Sequence, residues 1–160
     1  MMTREESKAR EQLAALAAEE QGRALLQLAL RGIQTSGRGV TIGCWVKPGG
    51  GVSGCVFQHA YWQGVAEGTF EPVTEATLGT TETASREIRD LVAERDFHLV
   101  MEAIRALDSL GKRRFVRWQG LQRALDEEAW RSTVERLLVD ALAEQTTAPA
   151  SDEARISGIA

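Results

Sequence analysis

The sequence predicts a single α+β domain rich in helix, with a small central antiparallel β-sheet packed against long helices. Apolar residues recur at helical spacing near the N-terminus and through the second half of the chain. Between these regions, a glycine-rich stretch alternates apolar and small residues as strands do. The length of 160 residues suits one domain. We expect that domain to cover residues 1–145, and the small polar residues 146–160 to form a disordered tail.

One N-terminal helix is predicted over about 3–32. Thr3 can cap its first turn, and Glu5 and Glu6 place negative charge near the positive end of the helix dipole. The second half of the helix is apolar on most sides. Such a helix is either buried within its own chain or packed against another subunit.

A β-hairpin is predicted over about 40–59, with a Pro-Gly-Gly-Gly turn between its two strands. A four-residue loop sets Lys47 opposite Val52, and the same register sets Cys44 opposite Cys55. Directly opposed residues have Cβ atoms roughly 4.5–5.5 Å apart. The register therefore predicts that the two thiols lie side by side.

The C-terminal half is predicted to be helical over about 81–145, with a bend near Asp96 and a helix end at Leu110 and Gly111. A short helix is expected over residues 118–125. The last helix begins near Asp126, where acidic residues suit a helix start. Its core side is predicted to consist of Trp130, Val134, Leu137, Leu138 and Ala141.

Composition excludes some classes of protein. The chain is 43% hydrophobic and 26% charged, which is typical of a soluble globular protein. A net charge of −4 argues against a protein that coats nucleic acid with its whole surface, but leaves room for a local basic patch. No apolar stretch approaches the ~20 residues that a bilayer requires. The charged first residues do not resemble a signal peptide, so we expect a cytoplasmic protein.

Cys44 and Cys55 are open to several interpretations. They can pack as small apolar residues, form a redox-active disulfide, or join His59 in a metal site. The spacing matches no established zinc pattern, so we expect neither metal nor cofactor. A Cys–His nucleophile needs a thiolate stabilised by a cation or a helix N-terminus, and neither cysteine is at a predicted helix start.

Aromatic residues cluster around the predicted glycine-rich hairpin, and aromatic residues are enriched at the centres of protein interfaces. The hairpin tip could also hold an anion on its backbone N–H groups, although a phosphate-binding loop would lead into a helix rather than a strand. We therefore predict a protein interface there. Its residues are Trp45, Lys47, Tyr61 and Trp62.

His98 and Glu102 lie four residues apart and share a face of a predicted helix. A carboxylate in this position can orient an imidazole, or the pair can ligate a metal. One such pair alone is more typical of an ordinary surface histidine.

A basic segment over residues 105–123 is the predicted site for an anionic partner. Clustered cations with aromatic residues between them can hold phosphates while a ring stacks on a base. The alternative is that these cations pair with acidic helices of the same chain. The segment contains Arg105, Lys112, Arg113, Arg114, Arg117, Trp118 and Arg123.

Residues 111–125, followed by 131–137, resemble the second and third helices of winged-helix DNA-binding domains. The resemblance covers under a quarter of the chain and implies a nucleic-acid-binding regulator. Two features depart from that family. The third helix begins with three acidic residues, and no pair of strands follows it to make a wing.

No arrangement of residues supplies a nucleophile, a base and an oxyanion donor together. The sequence therefore predicts a non-enzymatic protein that binds a macromolecule through a protein–protein or anionic-partner interface, in a homo-oligomer or a larger assembly. One alternative is a nucleic-acid-binding regulator that uses residues 105–123. The other is a thiol-redox or small-ligand-binding enzyme centred on Cys44 and Cys55.

Overall fold

The computed structural model describes residues 2–42, 46–47, 53–71 and 81–159. Within these ranges the chain forms six helices and two small antiparallel hairpins, which confirms the predicted helix-rich class with a β-hairpin packed against helices. The elements are α1 (Arg4–Ala17), α2 (Glu20–Thr35), β1 (Val46–Lys47), β2 (Ser53–Gly54), α3 (Val56–Glu67), α4 (Thr81–Val92), α5 (Glu94–Arg114), β3 (Val116–Gln119), β4 (Gln122–Leu125) and α6 (Glu127–Ile159).

The predicted N-terminal helix is two helices, so its continuity over 3–32 is wrong. Thr3 caps α1 as expected, because its side-chain oxygen accepts a hydrogen bond from the Glu6 N–H at 3.2 Å. The chain then folds back at the start of α2, where a Cβ on Gly22 would lie 2.1 Å from the Leu16 carbonyl oxygen. Only glycine permits that approach, so Gly22 allows a turn where the sequence suggested a weakened helix.

Helix α3 is the central element of the fold and corrects the predicted 40–59 hairpin. Its residues from Val56 to Trp62 are buried on every side. A short segment that is buried on every side shows no alternation of apolar and polar residues, so periodicity could not separate a strand from a buried helix. The helix packs against α2 through Gly32, where a Cβ would lie 2.6 Å from the His59 carbonyl oxygen.

The hairpin that does form is short and has a different register. Val46 pairs with Gly54 and Lys47 pairs with Ser53, so the predicted pairing of Lys47 with Val52 is wrong by one residue. The second strand ends at Gly54 because α3 begins two residues later. The predicted contact between Cys44 and Cys55 depended on the replaced register, and Cys44 lies outside the described residues.

Helix α5 is longer than the sequence predicted. The bend expected near Asp96 occurs at Ala93, which has φ 68° and ψ 149° between α4 and α5. The helix end predicted at Leu110 and Gly111 is wrong, since α5 continues to Arg114. Gly111 serves close packing instead, because a Cβ there would lie 2.5 Å from Cδ1 of Ile42.

A second hairpin replaces the short helix predicted over residues 118–125. Strands β3 and β4 pair from Val116 with Leu125 to Gln119 with Gln122. Gly120 opens the two-residue turn with φ 65°, as glycine does in a type II′ hairpin turn. Because strands lie between α5 and α6, the arrangement expected from the winged-helix resemblance is absent from this region.

Helix α6 begins where the sequence predicted. Asp126 caps it by accepting a hydrogen bond from the Ala129 N–H at 3.2 Å, and its five predicted core side chains are all buried. The helix extends to Ile159, and no side chain beyond Gln145 is among those described. A disordered tail over 146–160 therefore stays a prediction. Among the described residues, no helix is both long and apolar enough to cross a bilayer.

Candidate protein-interaction site

Three of the six cations in the predicted basic segment form ion pairs within the chain. These ion pairs support the alternative that the segment matches acidic helices of the same molecule. The pairs are Arg105 with Glu102 at 2.5 Å, Arg113 with Glu5 at 2.8 Å and Arg114 with Glu6 at 3.0 Å.

Glu6 is the most buried member of these pairs, with 5% of its surface exposed. Its carboxylate accepts hydrogen bonds from Arg114 on α5 and Arg136 on α6. Burial raises the pKa of Glu6, but the two guanidinium groups outweigh burial and hold that pKa below its ordinary value. The carboxylate therefore joins α1, α5 and α6, and Arg114 has a structural role.

The remaining cations of the segment are Lys112, Arg117 and Arg123. Within the described ranges, none of the three has a carboxylate oxygen within 4.0 Å. The guanidinium carbon of Arg123 lies 5.8 Å from the centroid of the Trp118 ring, directly across the hairpin. Two of these cations thus lie on β3 and β4 beside an exposed tryptophan.

The β3–β4 hairpin carries the largest exposed apolar side chains that the structure describes. Trp118 is 71% exposed and Leu121 is 96% exposed, and every residue from 117 to 123 is exposed. The other described phenylalanine, tyrosine and tryptophan side chains are all buried in the core. The hairpin therefore exposes an aromatic side chain of a kind that the rest of the described structure buries. We call Arg117, Trp118, Leu121 and Arg123 the hairpin surface.

The structure buries Tyr61 and Trp62, two of the four residues predicted for an interface around the glycine-rich hairpin. Tyr61 is fully buried and stacks on Phe70, with ring centroids 5.6 Å apart. Trp62 is buried under Arg38, whose guanidinium carbon lies 4.4 Å from the ring centroid. Both residues belong to α3, which the neighbouring elements enclose. The other two predicted interface positions, Trp45 and the side chain of Lys47, lie outside what the structure describes.

Cys55 is the N-cap residue of α3, which corrects the expectation that neither cysteine is at a helix start. Its side chain is buried, with 8% of the residue exposed. With Thr41, Asp108 and Trp130 it lines a cavity of about 10 Å³, which is room for about one water molecule. That volume cannot hold a substrate beside the thiol.

His59 is fully buried and ties the loop after α2 to α3. Its Nε2–H donates to the carbonyl oxygen of Gly39 at 2.9 Å, so Nδ1 accepts from the hydroxyl of Ser36 at 3.3 Å. The pKa of His59 is lowered to about 4, mainly by burial and to a smaller extent by the nearby charges of Arg131 and Arg38. This imidazole is too weak a base, and too enclosed, to activate Ser36 for catalysis.

The predicted pair of His98 and Glu102 lines a surface cleft of about 530 Å³ between α4 and α5. The His98 Nδ1–H donates to the Arg95 carbonyl oxygen at 2.6 Å, and Glu102 is paired with Arg105. The two side chains are thus engaged separately. In the part of the chain that the structure describes, no three His, Cys, Asp or Glu side chains are grouped to hold a metal ion.

Leu121 is the one residue of the hairpin surface that is not among the site residues predicted from the sequence. The available signal was Gly120, which precedes Leu121 between two short runs and fits a two-residue hairpin turn.

Comparison with known proteins finds no matching family model, no matching curated protein and no matching solved structure.

Proposed function

We propose that this chain is a non-enzymatic interaction protein that binds a protein partner through the hairpin surface. The observation that supports the proposal is the exposure of Trp118 and Leu121, at 71% and 96%, in a molecule whose other described aromatic side chains are buried. Burying a large apolar side chain yields roughly 1.5–3 kcal/mol. A partner that covers both residues gains that free energy, so the hairpin is the part of the surface best suited to binding.

The residue types of the hairpin surface also favour this function. Tryptophan and arginine are enriched among the residues that contribute most to protein–protein binding. An isolated two-stranded hairpin is only marginally stable in water. Contact with a partner would stabilise β3 and β4 while it buries Trp118 and Leu121.

Charge favours a protein over a nucleic acid as that partner. Nucleic-acid binding depends on several cations that each neutralise a phosphate. Three of the six cations of the basic segment are paired within the chain. Asp126, Glu127 and Glu128 follow the unpaired Arg123 after two residues, and the chain as a whole carries a net charge of −4. The partner surface we expect is an apolar site bordered by carboxylates. The cytoplasmic location predicted from the sequence is part of this proposal.

Affinity capture with three baits tests the proposal. The wild-type protein is compared with a Trp118→Ala/Leu121→Ser double variant and with Val139→Ser, which alters an exposed apolar residue elsewhere on α6. We expect a protein that is retained by the wild type and Val139→Ser and lost from the double variant. Circular dichroism checks that all three baits remain folded.

Two outcomes contradict the proposal. One is an identical set of captured proteins on all three folded baits, because the hairpin would then play no part in binding. The other is a captured complex that nuclease treatment abolishes, or that weakens steeply with added salt on purified DNA or RNA, which would indicate a nucleic-acid partner.

A further inference from the structure

The backbone groups of the β3–β4 hairpin have a defined direction. The Asp126 N–H donates to the Phe115 carbonyl oxygen at 2.8 Å. In an antiparallel ladder, pairs that exchange backbone hydrogen bonds alternate with pairs that do not. The inward-bonded pairs are therefore Phe115–Asp126, Arg117–Ala124 and Gln119–Gln122. The residues whose N–H and C=O groups point outward are Val116 and Trp118 on β3, and Arg123 and Leu125 on β4.

Each strand of the hairpin thus has an outer edge with two residues available for pairing. In the part of the chain that the structure describes, the sheet has only these two strands, so neither edge is covered by a third. Unpaired edges bind further strands, because main-chain hydrogen bonds satisfy both partners. The hairpin surface is consequently a site for strand addition as well as for side-chain contact.

Symmetry distinguishes the two edges. Pairing with a second copy about a two-fold axis can use both outward residues only if the residue between them lies on the axis. On β3 that residue is Arg117, which would face the same arginine of the second copy, and like charges directly opposite are destabilising. On β4 it is Ala124, whose small side chain tolerates the close approach. The same register sets Arg123 opposite Leu125 of the second copy.

Under this two-fold axis, the basic residue of β4 in one copy lies near the acidic residues that follow β4 in the other copy. The exposed residues Asp126, Glu127 and Glu128 follow the strand directly and take part in no ion pair within the described residues. The axis at Ala124 brings Arg123 of one copy toward the acidic start of α6 in the other. Carboxylates that border an apolar site are the chemistry expected of a partner for the hairpin surface, and the chain itself supplies them.

We propose that the partner is a second copy of this chain, paired antiparallel along β4 with Ala124 on the two-fold axis. The two hairpins then form one four-stranded sheet in the order β3–β4–β4–β3, with Trp118 and Arg123 of each copy on the same face. This inference rests on the proposed function, because it assigns a partner to the same hairpin. That partner pairs with the outer edge of β4, and Trp118 stays on the outer strand β3 of the four-stranded sheet.

Sedimentation equilibrium over a range of concentrations tests the dimer with three proteins. The wild type and Val139→Ser are expected to rise from the mass of one chain to twice that mass. Ala124→Glu places a carboxylate opposite Arg117 in its own hairpin, which favours the hairpin, and two carboxylates face to face on the axis, which disfavours the dimer. We expect that variant to weaken the dimer at least about tenfold.

Cysteine cross-linking tests the position of the axis independently. In the proposed dimer, an Ala124→Cys variant brings two thiols together across Cβ atoms roughly 4.5–5.5 Å apart. Mild oxidation should then give a covalent dimer that reductant reverses. Arg117→Cys, opposite Ala124 on the far strand, should give none, and the wild type controls for the native thiols.

A chain that remains monomeric at every concentration overturns the inference. So does a dimer that Ala124→Glu leaves unchanged and Ala124→Cys fails to cross-link. In either case, a partner lost from the Trp118→Ala/Leu121→Ser bait and kept by Val139→Ser would still uphold the proposed function. Loss of both the dimer and any hairpin-dependent capture would contradict the two proposals together.

Discussion

The Nε2 atom of His59 lies 2.9 Å from the carbonyl oxygen of Gly39, and this contact holds the imidazole in place inside the protein. Burial lowers the pKa of His59 from 6.5 to about 4, and the cations that face it are Arg131 and Arg38. The unfolded chain therefore binds a proton at pH values where the folded protein does not. The stability that the neutral His59 contributes is complete above pH 6.5 and is lost as the pH falls toward 4.

This pKa shift predicts that the free energy of unfolding decreases by on the order of 3 kcal/mol between neutral pH and pH 4. Denaturant unfolding of the wild type across that range measures the decrease. In a His59→Gln variant the amide can still donate to Gly39 but does not titrate. Its free energy of unfolding should depend less steeply on pH between 6.5 and 4.5. Equal pH dependence in the two proteins would show that another group is responsible.

Glu6→Gln is expected to destabilise the protein by roughly 1–3 kcal/mol, because a buried acceptor of two charge-assisted hydrogen bonds loses its charge. The matched control is Glu5→Gln, which removes the partner of the mostly exposed Arg113. Exposed ion pairs contribute about 0–1 kcal/mol, so the control should change little. Denaturant midpoints measured for both variants decide the point. Equal effects would mean that Glu6 does not join the three helices as its contacts indicate.

The parts of the fold that the sequence predicted are those that local chemistry determines. Thr3 caps its own helix, and the core face of α6 follows from spacing within one helix. Gly111 was misread because its role is contact with Ile42, which is distant in sequence. Gly120 was misread as helical because the strands around it have only four residues each.

The candidate site was predictable only in part, because contacts between residues distant in sequence leave no local pattern. Arg117, Trp118 and Arg123 were identified from their composition and proximity in sequence. The pairing of Arg113 with Glu5 joins residues 108 positions apart, and no local pattern reveals it. Tyr61 resembled an interface aromatic until α3 was found to be enclosed. Long-range contacts thus decided which cations and rings remain available to a partner.

Ala93→Gly is expected to stabilise the protein by about 1 kcal/mol, against the usual effect of glycine. Ala93 has φ 68° and ψ 149°, a region that glycine occupies without strain and other residues occupy at a cost of about 1–3 kcal/mol. An exposed alanine within α1 provides the control, since Ala15→Gly should destabilise by about 1 kcal/mol. Thermal and denaturant unfolding of both variants measure the difference. Destabilisation by both would contradict the strain at Ala93.

Gly32→Ala is expected to destabilise the protein by about 1–3 kcal/mol, although alanine favours helices. A Cβ at Gly32 would lie 2.6 Å from the His59 carbonyl oxygen, and that atom belongs to the backbone of α3 and cannot rotate away. Helices α2 and α3 would have to separate, which also strains the contacts that His59 makes with Ser36 and Gly39. The control is Gly37→Ala, because nothing lies within 4 Å of a Cβ there. Its free energy of unfolding should stay close to that of the wild type. If Gly32→Ala proved as stable as Gly37→Ala, the two helices would not pack as closely as the geometry requires.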